Sequence, residues 1–106
     1  MSGGTTDSGA VLYAVRVAVD ATIAADYRAW LGAHVAEILA LPGFTGAEIF
    51  REETDDDSVA YTVHYRLADR AALDDYLRNH APRLRADGLA RFGGRMSASR
   101  QILITA

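Results

Sequence analysis

The sequence contains no cysteine and no lysine, only two prolines, and no uninterrupted apolar run long enough to cross a bilayer. Without cysteine there is no disulfide framework, no thiolate metal site, no cysteine nucleophile and no thiol redox chemistry. The missing thiols agree with a reducing compartment, although exported proteins can lack them as well. A membrane-spanning helix needs about 20 consecutive apolar residues, so no membrane association is expected. The opening "MSGGTTDSG" has neither a basic n-region nor an apolar core, and it reads as a loose tail rather than a signal peptide or an anchor. The expected location is cytoplasmic.

All eleven basic residues are arginines, set against 14 acidic residues for a formal net charge of −3. That balance argues against general nucleic-acid binding, which needs a basic face to neutralise phosphates. Six of the eleven arginines (Arg78, Arg83, Arg85, Arg91, Arg95, Arg100) fall in the last third of the chain. A local anion site is therefore open there, against the plainer reading of a solvated helix and its following loop. Half of the residues are hydrophobic and 24% are charged, the profile of a folded chain, and the length leaves room for one core. The expected layout is a tail over residues 1–10 and one domain over 11–106.

What is present is strongly patterned. "VLYAVRVAV" alternates, with Val11, Tyr13, Val15, Val17 and Val19 on one side and Leu12, Ala14, Arg16 and Ala18 on the other, which predicts a strand. Asp20 stands where an N-cap belongs. A helix to about Leu41 follows, its stripe made of Ile23, Tyr27, Trp30, Leu31, His34, Ile38 and Leu41, and Pro42 and Gly43 stop it. Phe44 to about Glu53 and Val59 to Leu67 form a hairpin around the acidic turn "ETDDDS". Asp69 caps a second helix, "RAALDDYLRNH", with Leu73, Tyr76, Leu77 and His80 in its stripe, and Pro82 kinks or ends it. "MSASRQILIT" is the last strand. The order strand, helix, strand, strand, helix, strand is the ferredoxin-like βαββαβ plan of the α+β class, a four-stranded antiparallel sheet with its helices on one face.

Helices on one face leave the other uncovered, yet Leu12, Ala14, Ala18, Ala47, Ile49, Ala60 and aliphatics of the last strand are expected there. A second sheet packed face to face would cover them and produce a homodimeric α/β barrel.

"YRAWLGAHVAEILALPGF", "VHYRLADRAALDDYL" and, most specifically, "HAPRLRADGLARFGGRMSASRQIL" resemble a bacterial domain-of-unknown-function family of the dimeric α/β-barrel superfamily, over about residues 11–104. The resemblance implies the same fold, a homodimer and no established activity. More distant relatives by fold include antibiotic-biosynthesis monooxygenases that work without metal or flavin, polyketide cyclases, muconolactone isomerases, haem-degrading oxygenases and stress-responsive proteins. The chain matches none of their catalytic motifs, so no residue role is carried over from them.

The candidate chemistry rests on two histidines placed on apolar stripes. His34 and His80 each follow an aromatic residue by one turn, Trp30 and Tyr76, and both stripes should face one side of one sheet. With Tyr61 and Tyr65 below and Phe92 at one end, the group would form an aromatic slot for a small molecule. Either imidazole could accept a proton from an acidic carbon or a phenol, in a cofactor-independent oxygenation, cyclisation or isomerisation. The alternative is a non-enzymatic interaction or stress-related protein whose histidines complete the core. No cofactor is expected. Haem on His34 or His80 is a further alternative without a supporting motif. "HVAE" offers Glu37 beside His34 but too few convergent ligands for a metal. The "GG" at 93 and 94 precedes a strand, so there is no phosphate loop or dinucleotide fingerprint.

Overall fold

The computed structural model describes residues 10–54 and 57–106. Residues 1–9 of the expected tail and the tip of the acidic turn, Asp55 and Asp56, lie outside them. The strands are β1 (Val11–Asp20), β2 (Phe44–Glu52), β3 (Ser58–Leu67) and β4 (Met96–Ile104), and the helices are α1 (Ala24–Leu39), α2 (Arg70–Asn79) and α3 (Ala81–Phe92). The strands form one sheet in the order β2-β3-β1-β4, and every neighbouring pair is antiparallel. This is the ferredoxin-like arrangement that the element order predicts.

Both expected caps are made. Asp20 accepts from the Thr22 amide at 3.0 Å, ahead of a short 3-10 turn (Ala21–Ile23) that leads into α1. Asp69 accepts from the Ala72 amide at 2.8 Å at the start of α2. The turn between α1 and β2 depends on Gly43, whose φ of +87° favours glycine. Its carbonyl accepts from the Ala68 amide at 2.9 Å. The buried faces of Val11, Tyr13, Val17 and Val19 in β1 and Tyr61, Val63, Tyr65 and Leu67 in β3 meet Tyr27, Leu31, Val35 and Ile38 of α1 and Leu73, Tyr76 and Leu84 of α2 and α3 in one core. Val35, absent from the expected stripe, is buried, whereas Trp30 and His34 sit at its half-buried margin.

Three expectations are corrected. Pro82 does not simply end the second helix. It stands in the first turn of α3, where its missing N–H costs nothing, so the chain breaks at His80 and then runs helically to Phe92. Ala47 and Ile49 face the helices, not the open side, because they pair with Tyr65 and Val63. The cause is a bulge between Phe44 and Gly46; one extra residue reverses the parity of everything after it and turns Phe50 outward. In β4, Ile102 and Ile104 pair with Tyr13 and Val11 on the helix side, so only Leu103 of the aliphatic run joins the open face. No helix among the described residues is long and apolar enough to cross a membrane.

Candidate functional site

A cavity of about 310 Å³ opens between the helices and the sheet. Its floor is Tyr13, Val15 and Val17 of β1 with Val63 and Tyr65 of β3. Helix α1 presents Tyr27, Trp30, Leu31 and His34, and α2 and α3 present Tyr76, Leu84, Arg85 and Gly88. Edge strand β4 adds Met96, Ala98 and Arg100, which share the helix side with Val19, Val17 and Val15 opposite them. The period of α1 puts Tyr27, Trp30 and His34 on adjacent turns of one flank, and Gly88 lets α3 come close to that flank. A Cβ at Gly88 would stand 3.1 Å from Trp30 Cη2.

Trp30 is held from two sides. Its Nε1–H donates to Asp87 Oδ2 at 3.3 Å, and its ring stacks on His34 with centroids 4.4 Å apart and planes 21° apart. The His34 Nδ1 is sealed from solvent and, among the described residues, has no hydrogen-bond partner. Burial pushes the His34 pKa down, against the opposing charges of Glu37 and Asp87. A charged ring would also carry an N–H at the sealed nitrogen with nothing to accept it. Both effects favour a neutral imidazole at neutral pH.

The phenols are shifted the other way. Burial raises Tyr27 to about 12, with Arg100 opposing. Burial raises Tyr76 to about 12, the neighbouring Tyr13 adding to it, and burial raises Tyr65 further still. All three are therefore protonated hydrogen-bond donors at physiological pH. The rings form a continuous aromatic layer, with Tyr13 6.2 Å from Tyr65 and 6.0 Å from Tyr76.

Of the residues singled out by sequence, His34, Trp30, Tyr65 and Tyr76 line the cavity. Tyr61 and Phe92 stand behind its wall, each against Tyr27, at 6.1 Å and 5.1 Å. His80 is not brought to the cavity. The helix break turns it away, to a position where its Nε2 lies 3.9 Å from Asp75 and its side chain is 28% exposed. The sequence reading missed Tyr13, Arg85 and Arg100 as site residues. The only signal for the arginines was their crowding in the last third of the chain. Among the described residues no group of three or more potential metal ligands converges.

A family model described as a domain of unknown function, DUF4286, matches residues 10–106. The chain belongs to that family. None of the curated proteins matches it. Among solved structures, this DUF4286 chain is similar to SnoaB, a cofactor-independent oxygenase from Streptomyces nogalater, at 17% identity over 92% of this chain and 94% of that one, with a TM-score of 0.70. It is similar to a protein of Caulobacter crescentus CB15 provisionally assigned as an antibiotic biosynthesis monooxygenase, at 17% identity over 97% and 95% of the two chains, TM-score 0.71. A conserved protein from Methanosarcina mazei Go1 matches at 13% identity over 96% and 98%, TM-score 0.73. At such identities the likeness is one of fold.

Proposed function

We propose that this DUF4286 protein binds a small, largely aromatic molecule in the cavity between helices and sheet, and that His34 removes a proton from an acidic carbon or phenol of that molecule. The observation that carries the reading is the half-buried His34 imidazole, its Nδ1 sealed and burial favouring its neutral form, on the wall of a largely apolar and aromatic cavity. The volume lies at the lower end for small-molecule sites, and suits a ligand of two or three fused rings. Proton removal leaves the electron pair delocalised into an adjacent carbonyl as an enolate. In an oxygenation that pair passes to dioxygen, so that a methylene and O₂ become a carbonyl and water. Proton removal also begins a cyclisation or an isomerisation. The oxygenation is favoured because the oxygenase among the structural neighbours is described as cofactor-independent.

The working form is a homodimer. The open face of the sheet carries Leu12, Phe50 and Leu103 with Ala14, Ala18 and Ala60, and Phe50 and Leu103 are 45% and 44% exposed. Arg16 pairs with Glu52 at 2.7 Å and Arg66 pairs with Glu48 on the same face, so the charges there are already matched for burial against a second copy.

The test uses 2-tetralone, a bicyclic ketone with an acidic benzylic methylene. In D₂O at slightly acid pH the protein should accelerate exchange of that methylene above the buffer rate, and His34→Gln should abolish the acceleration. Binding is followed separately by the indole N–H signal of Trp30, the single tryptophan. A ligand-shifted indole without accelerated exchange would remove the base role and keep the binding site. An unmoved indole would remove both.

A further inference from the structure

Polar groups around the cavity are unusually one-sided. Arg85 donates from Nη2 to the Tyr13 hydroxyl at 2.9 Å, which turns its head group in over the floor. Arg100 lies on the helix side of β4 opposite Val15, and its charge is felt at both Tyr27 and Tyr76. Among the described residues neither arginine has a carboxylate within ion-pair distance. By contrast Arg83 and Arg91, on the same helix as Arg85, are paired with Glu37 and Asp87. Among the described residues no acidic side chain lines the cavity. The hydroxyls of Tyr27, Tyr65 and Tyr76 donate to no protein acceptor among the described residues, and none of them is sealed as His34 Nδ1 is, so they are free to donate to a bound molecule. The wall thus offers two guanidiniums and three phenol donors but, among the described residues, no carboxylate to balance the two positive charges.

We infer that the ligand is an anion, an aromatic body carrying a carboxylate or a similar oxyanion, with Arg85 and Arg100 binding its charge at the α3 and β4 side of the cavity. The inference rests on the binding site proposed above and adds the substrate class. Guanidinium groups suit carboxylates because their fixed fork of donors matches the two oxygens. The site stands out against a chain whose net charge is negative, so the attraction is local. The same two charges would stabilise an enolate formed by proton removal, since electrostatic stabilisation acts where charge develops.

The experiment compares 2-naphthoate with 2-naphthamide, which has nearly the same shape and no charge, by calorimetric titration and by the Trp30 indole signal. The naphthoate is expected to bind roughly tenfold tighter than the amide, with the preference shrinking as salt is raised. Arg85→Gln and Arg100→Gln should each erode the preference for the acid over the amide. Both arginines are exposed, so folding should survive, and the salt series on the native protein tests the idea without any variant. Equal binding of acid and amide, insensitive to salt and to both substitutions, would overturn the inference and leave the binding site standing. Failure of both compounds to move the indole would overturn the binding site and the inference together.

Discussion

Gly88 links the packing of the helices to the site, and its replacement by alanine has a calculable outcome. A methyl group there would lie 3.1 Å from Trp30 Cη2 and 3.6 Å from Met96 Cε. Carbon atoms rest about 3.5–4.0 Å apart, so the indole must withdraw by a few tenths of an ångström, and the open volume beside it is the cavity. Alanine inside a helix is worth about 0.8–1.0 kcal/mol over glycine, and part of that gain is lost to the crowding. Gly88→Ala should therefore fall within about 1 kcal/mol of the native stability. In the Trp30→Phe background the crowding atom is gone, and the same change should stabilise by nearly the full propensity difference. A double-mutant cycle followed by circular dichroism in urea should show a coupling of about 0.5–1 kcal/mol. Naphthoate affinity should drop severalfold in Gly88→Ala without a matching loss of stability. Additive stabilities together with unchanged affinity would refute the claim that α3 shapes the cavity through Trp30.

Gly43→Ala should cost about 2–4 kcal/mol, because the added methyl meets Ala72 Cβ at 2.3 Å while the backbone holds φ at +87°; urea midpoints measure it, and a loss below 1 kcal/mol would contradict the turn geometry. For His34, burial lowers the native pKa, so as pH falls below about 6.5 the unfolded chain takes up a proton that the native ring refuses. Stability should therefore fall with pH from there down to the native pKa. The fall should be shallower in His34→Gln, and a His34 ring proton titrating at or above the ordinary histidine value by NMR would refute the assignment. Phe50→Glu and Leu103→Glu should halve the mass measured by light scattering while leaving naphthoate binding in place; an unchanged mass would place the dimer contact elsewhere.

Much of this molecule is determined by local chemistry that a sequence exposes. The alternation in β1 and the spacing in α1 follow from periods of two and 3.6 residues. Asp20 and Asp69 cap helices because a carboxylate beside unpaired amides is stabilised wherever it occurs. Two local features misled, each by a single residue. Thr45 adds a residue at the bulge and so exchanges the faces of β2, and bulges have no strong sequence signature. Pro82 reads as a kink or an end, although a proline in the first turn of a helix is equally a beginning.

The site was only partly legible for a different reason. Trp30 and His34 share α1, and Tyr65 and Tyr76 lie on predicted faces, so helix and strand periods were enough to bring them together. His80 has the same local pattern as His34, an aromatic residue one turn earlier on an apolar stripe. Whether such a histidine faces the cavity depends on where the helix ends, and the break at residue 80 turns it to Asp75. Arg85 and Arg100 line one cavity only because β4 pairs with β1 and Arg85 of α3 reaches Tyr13 of β1. Element type, caps and face periodicity are short-range properties, settled within a few residues by backbone sterics and hydrogen bonding. The cavity and its charge arise from contacts between distant residues, such as Tyr13 and Arg85, 72 positions apart, and those exist only once the sheet order is set.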